Sequence, residues 1–235
     1  MASNRDIWPE FFDKNSIPAL PCPSCRPGRL ELDKDSFKVT RLNRAHIHHL
    51  KYGFTPEQDE GRFTCTLVCS NRRCREVVVV MGDAFAELFE EEPLTSLRPY
   101  SMYPGPPLMD IPASVPPPAA GAMNQAFTAF WGDRGSAANR LRISVERIMD
   151  AEGIDPKKKL HERIDDFGQA HPELMDTLDA LRHVGNLGSH DGDVSRDALL
   201  DAFEVYQEWL RNYYGKYPEH IKNLVSKLNI TRGAY

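Results

Sequence analysis

The periodicity of apolar and polar positions divides this chain into a first part written in twos and a second part written in three-to-four steps. From Arg29 to Leu32 and again from Ser36 to Leu42, apolar or β-branched residues alternate with polar ones, as in strands with one face buried. Arg62 to Val68 is a third such run, and Val77 to Met81 is a fourth, apolar enough for burial on both faces. Asp83 to Glu91 reads as a short acidic helix with Ala84, Leu88 and Phe89 inward. After Ala122 the period becomes helical. Ala137, Leu141, Val145 and Ile148 form one stripe, with Gly153 as a stop. Leu160, Ile164 and Phe167 mark a second helix, and Pro172 opens a third carrying Leu174, Leu178 and Leu181. Leu199, Phe203, Tyr206, Leu210 and Tyr213 share the face of a long helix, and Ile221, Leu224 and Leu228 predict a closing one after Pro218. Four or five amphipathic helices with short connections make a bundle.

Between the two periodic parts, Pro99, Pro104, Pro106, Pro107, Pro112 and Pro116 to Pro118 are unsuited to helix interior or central strand. Tyr100, Met102, Tyr103, Leu108, Met109 and Ile111 lie among them, so the stretch reads as an extended strap, free only near Ala119 to Gly121. The expected fold class is α+β. Residues 1–98 form a small zinc-ribbon-like β module with short strands and a helix, 99–122 a proline-rich connector, and 123–235 an all-α helical bundle.

Composition narrows this reading. At 235 residues, with 41% hydrophobic and 27% charged, the chain has room for one large folded domain or two small ones. A net charge of -5 argues against wholesale coating of nucleic acid but leaves room for a local basic patch. No apolar run is long enough to cross a bilayer, and Met1 to Asp13 lacks the apolar centre of a signal peptide, so a cytoplasmic location is expected.

All five cysteines fall between Cys22 and Cys74, an odd number in one short region, which suits metal better than disulfides. Cys22 and Cys25 form one knuckle with two intervening residues. The second is drawn from Cys65, Cys69 and Cys74; Cys69 and Cys74 are favoured, because Ser70-Asn71-Arg72-Arg73 is turn chemistry able to wrap an ion. Cys65 is then a small buried residue of the preceding strand, or else the alternate ligand. Four thiolates point to structural zinc rather than a catalytic ion with an open position. His46 and His48, on one face of a strand, and His49 are further candidate ligands. Arg26 and Arg29 flank the first knuckle, and Arg72, Arg73 and Arg75 line the second, where they either hold phosphates of RNA or DNA or merely solvate a small domain.

The densest polar signal runs from Leu181 to Asp191. Arg182, Asn186 and His190 are spaced by four and would project from one side of a continuous helix. Gly185 and Gly188 inside it imply either a close backbone approach or a break. From about Met123 onward, the chain resembles the family catalogued as domain of unknown function 4145, through Arg142-Ile143-Ser144-Val145-Glu146 and through Leu181 to His190. That family resembles the HEPN group of helical bundles, many from prokaryotic toxin–antitoxin, restriction and phage-defence systems. The resemblance implies a homodimer formed through the bundle and a metal-independent ribonuclease site. In it His190 would serve as general acid or base, Arg182 would stabilise phosphate charge, Asn186 would orient one of them, and Glu146 would hold Arg182. The chain departs from that pattern, because Arg182 and His190 stand about 12 Å apart along an unbroken helix. Either the helix breaks, a second subunit completes the site, or there is no nuclease. The rival is a non-enzymatic dimerising adaptor that recruits a separate defence-system protein.

Overall fold

In the computed structural model of the chain, residues 5–25, 27–89, 92–190, 194–215 and 217–232 are described. The chain divides into two compact units: residues 1–107 with 127–137, and residues 108–126 with 138–235.

The first unit is built on an antiparallel sheet. Strands β1 (Phe12–Asp13), β6 (Glu92–Tyr103), β5 (Val77–Phe89), β4 (Glu60–Cys69) and β2 (Leu30–Leu32) lie side by side in that order, and β3 (Lys38–Arg41) also pairs with β4. A ten-residue helix, α1 (Asn43–Tyr52), joins β3 to β4. The period-two pattern becomes a two-faced sheet. Leu30, Phe63, Cys65, Leu67, Val78, Val80, Ala84, Leu97 and Met102 are buried on the inner face, and Val77, Val79, Met81 and Tyr103 are exposed on the outer one. The run from Val77 to Met81 is therefore buried on one face, not two. Trp8, Phe12, Phe130 and Trp131 close the core as a cluster of edge-on and tilted rings with centroids 5.2–6.4 Å apart.

Three expectations are corrected here. The helix predicted over Asp83 to Glu91 is strand: β5 continues through Phe89, with Glu60 to Arg62 paired on one side and Glu92 to Arg98 on the other; Glu90 and Glu91 lie outside the described residues. Ladder pairing on both edges outweighs a helix propensity of a few tenths of a kcal/mol per residue. The histidine run, read as strand, is helix α1. The connector is not one strap. Residues up to Tyr103 belong to β6, with Pro99 beside a bulge opposite Met81 and Gly82, where a lost ladder donor is tolerated. The tail of that stretch opens α2 (Pro117–Ala129), whose first turn accepts prolines, and Ala119 is fully buried within it.

The second unit is helical: α2 as far as Ala126, α3 (Arg134–Ala151) from Ala138 onward, α4 (Leu160–Ala170), α5 (Pro172–His190), α6 (Arg196–Tyr213) and α7 (Tyr217–Thr231). Its core takes most of the predicted stripes, Leu141, Val145 and Ile148 from α3, Ile164 and Phe167 from α4, Leu178 and Leu181 from α5, and Leu199, Phe203, Tyr206 and Leu210 from α6, joined by Trp209, while Tyr213 is half-buried and the stripe Ile221, Leu224 and Leu228 of α7 is exposed. Ser144 and Tyr206 share a buried hydrogen bond of 2.9 Å. Buried Arg163 reaches Asp150 at 2.7 Å and the carbonyls of Glu146 and Ile154. No described helix is long and apolar enough to cross a membrane.

Candidate functional site

Two stretches more than forty residues apart bring four thiols together. The first knuckle is a tight loop in which Cys22 N–H donates to the Gly28 carbonyl at 3.2 Å and Ser24 N–H to Cys22 Sγ at 3.4 Å. Gly28 is required by space: a Cβ there would collide with Cys69 Sγ and lie 2.8 Å from Cys25 Sγ. The second knuckle leaves the end of β4 at Cys69 and returns at Glu76, whose carbonyl accepts from Cys69 N–H at 2.8 Å. Between them Asn71 organises the turn. Its carbonyl accepts from Cys74 and Arg75 N–H at 2.9 and 3.0 Å, its side-chain oxygen accepts from Arg73 N–H at 3.1 Å, and its amide donates to Cys25 Sγ at 3.6 Å. Arg75 takes the left-handed conformation, φ 55°, that ends the turn. Ser70 N–H to the Arg29 carbonyl and a Ser24–Glu76 hydrogen bond join the two loops.

Cys22 Sγ lies 3.8 Å from Cys74 Sγ, Cys25 Sγ lies 3.6 Å from Cys69 Sγ, and all four sulfurs fall within 4.8 Å of one another. A tetrahedral ion with metal–sulfur bonds of about 2.3 Å needs sulfurs about 3.8 Å apart, so the donor set fits such an ion. Burial pushes the Cys22 thiol up to about 12, against donation from the Ser24 and Cys25 backbone. At Cys25 burial is overcome by hydrogen bonds from the Cys69, Cys74 and Asn71 side chains and from Gly28 N–H, and the thiol falls to about 7. Cys65 stands apart on the inner face of β4, and burial raises its thiol to about 11. Among the described residues, the four-cysteine group is the one set of side chains placed to hold a metal. His46, His48 and His49 sit on α1 and are not part of it.

The second knuckle is also where basic residues gather. Arg72, Arg73 and Arg75 are exposed, and among the described residues no carboxylate pairs with any of them. Arg29 is exposed beside the first knuckle, and Arg26 lies outside the described residues.

In the helical unit, α5 runs unbroken from Pro172 to His190, so the glycines do not break it. Gly185 marks a close approach instead: a Cβ there would collide with Arg142 Cβ and lie 3.1 Å from the Ala138 carbonyl, both on α3. Glu146 does not hold Arg182. It accepts from Arg142, one turn earlier on its own helix, at 2.8 Å. Arg182 Nε donates to Asp179 at 2.7 Å, and its Nη2 lies 3.0 Å from His183 Nε2, which is 3.1 Å from the other Asp179 oxygen. Hydrogen bonding from Arg182 holds the Asp179 carboxyl below the usual carboxylate range, against burial. Asn186 is half-buried one turn further along α5. The side chain of His190 lies outside the described residues.

Sequence reasoning placed Asn71 in the turn of the second knuckle but missed its amide contact to Cys25, and it missed Gly28, although Cys-x-x-Cys-x-x-Gly is a signal that local chemistry makes readable. It also missed Asp179 and His183 as the company of Arg182.

A β unit organised around four thiols, followed by a helical unit with a polar stripe, defines a two-part protein of cysteine-knuckle and bundle type. Residues 10–93 match the family described as Domain of unknown function (DUF8608). Residues 124–230 match the family described as Domain of unknown function (DUF4145), the family that the motifs on α3 and α5 resemble. Comparison with curated proteins and with solved structures gave no match.

Proposed function

We propose that the protein is a nucleic-acid-binding module whose β unit is held by one structural zinc ion. The observation that carries the reading is the loop from Cys69 to Glu76. It is folded around two of the four converging thiols, and its exposed Arg72, Arg73 and Arg75 have no carboxylate partner among the described residues. Zinc fits the all-sulfur donor set, and when bound it supplies a closed tetrahedral anchor for both knuckles. The chain's own residues do the rest. Asn71 and Gly28 set the loop shape, and the arginines present guanidinium forks suited to phosphate oxygens. Such contacts release counterions, so binding weakens steeply with salt.

For the helical unit, we place Arg182, Asn186 and His190 at a phosphate-handling site completed by a second copy of the chain, in the service of a prokaryotic defence or restriction system. The unbroken α5 supports the need for a second copy, since one phosphate does not reach two residues about 12 Å apart along a helix. The non-enzymatic adaptor is favoured by a different observation. Arg182 is engaged by Asp179 and Glu146 by Arg142, so both charges already serve their own helices.

The test uses zinc-loaded protein and labelled RNA and DNA pools at several salt concentrations, without added divalent cations. The arginine reading expects binding to fall by at least tenfold, about 1.4 kcal/mol, on combined Arg72→Ala, Arg73→Ala and Arg75→Ala substitution, with a smaller salt slope. Unchanged binding would overturn it. Cleavage by the parent that disappears in Arg182→Ala and His190→Ala would establish the ribonuclease. Binding with no cleavage would leave the adaptor.

A further inference from the structure

The sheet that carries the second knuckle has an outer face of unusual chemistry. Strict alternation along β5 turns Val77, Val79 and Met81 outward at two-residue steps of about 7 Å, starting directly after the loop that carries Arg75. Across the β5–β6 ladder Tyr103 stands opposite Val79, and Ser101 opposite Met81. Tyr103 is 69% exposed, Met81 53% and Val79 51%, far more apolar surface than an antiparallel sheet ordinarily leaves in water when its other face already fills a core. At the bulge between Met81 and Gly82, β6 carries one extra residue, Tyr100, so Tyr100 and Ser101 both face outward.

At that bulge the face dips into a recess of about 400 Å³, lined in part by Arg62, Thr64, Met81, Asp83 and Tyr100. Asp83 Oδ1 is buried there and engaged by the Arg62 guanidinium as an ion pair. Flat rings, aliphatic side chains between them, and at one end three guanidinium groups with no carboxylate partner among the described residues are complementary to a strand whose bases are unpaired.

We infer that the outer face of this sheet is a stacking platform for single-stranded nucleic acid, with bases resting on Tyr103 and Met81 and phosphates held by Arg72, Arg73 and Arg75. This rests on the nucleic-acid-binding reading above and names the form of its ligand. A duplex keeps its base faces covered and reaches only the arginines. Tyr103 therefore separates the two ligands, whereas the arginines do not.

The experiment measures binding of the zinc-loaded full chain to a labelled single strand of about 12 nucleotides, as RNA and as DNA, and to its annealed duplex. Tyr103→Ala is expected to weaken single-strand binding about tenfold and Tyr103→Phe to stay within about twofold of the parent, because stacking needs the ring and not the hydroxyl. Duplex binding and bound zinc should be unchanged in both variants. If Tyr103→Ala binds single strands like the parent while loss of the three arginines weakens both ligands, the platform is wrong and the arginine reading survives. A parent that prefers duplex also overturns the platform. If the parent binds neither ligand, the underlying reading fails, and this inference with it. RNA bound in preference to DNA would identify contacts to the 2′-hydroxyl, and equal binding would place recognition in bases and phosphates alone; either is consistent with the platform.

Discussion

The β unit and the helical unit both bury ordinary apolar cores, yet they dispose of their polar groups in opposite ways. In the β unit, Cys22, Cys25, Cys69 and Cys74 come from distant stretches and point at one another, and Asn71 and Gly28 are shaped to them. In the helical unit, charged residues mostly find partners a turn or two away: Arg142 with Glu146, Arg147 with Asp150, Arg182 with Asp179. Donors that converge without satisfying one another call for something from outside the chain. Ion pairs closed within one helix explain themselves, and a functional role for them needs independent support.

The comparison breaks most visibly if its first half is wrong. Cys22→Ser should reduce bound zinc from one ion per chain to none, as counted by elemental analysis, and abolish the cooperative melting of the β unit, because metal binding of this kind contributes on the order of 10 kcal/mol to folding. Cys65→Ser should keep the ion. Equal zinc in both variants would mean that the four thiols are not the ligands.

The second half sharpens through Arg163, the buried exception that reaches from α4 to α3. Its replacement by alanine should cost about 3 kcal/mol of stability of the helical unit in denaturant titration. Burial acts against ionisation of Asp150, but Arg163 and Arg147 overcome it and hold that carboxyl below its ordinary value. A carboxyl depressed in the folded state stabilises fully above its unfolded pKa and loses that contribution as pH falls through the folded one. The stability gap between parent and Arg163→Ala should therefore narrow below about pH 4. A gap that stays constant down to pH 2 would show packing rather than charge to be responsible.

The smallest expected effect is also discriminating. Arg182→Ala should change stability by no more than about 0.5 kcal/mol, since its partner Asp179 is well exposed. A loss of several kcal/mol would show the arginine to be structural.

Sequence patterns made these two units unequally legible. The knuckles and the helix stripes rest on local chemistry: turn residues between close cysteines, and apolar residues three or four apart on α3, α4, α5 and α6. They carry through to the structure because nothing distant opposes them. The segment from Asp83 to Phe89 is different. Its Ala, Glu, Leu and Phe residues suit a helix, and the partners that make it strand, Glu60 to Arg62 and Glu92 to Arg98, are remote in one direction and adjacent in the other. At Glu146 the sequence offered two arginines, and helical geometry chose Arg142, four residues away on the same helix, over Arg182.

By itself, then, the sequence determined which cysteines make knuckles, where apolar stripes run along the later helices, and that a β part precedes an α part. These follow from chemistry confined to a few consecutive residues. Tertiary structure alone decided that β5 runs to Phe89, which of close approach or break Gly185 serves, and that Tyr103, Met81 and Asp83 share an outer face beside three arginines with no carboxylate partner among the described residues. Each depends on which distant backbone supplies hydrogen bonds or leaves space, and that is settled only when the chain closes on itself.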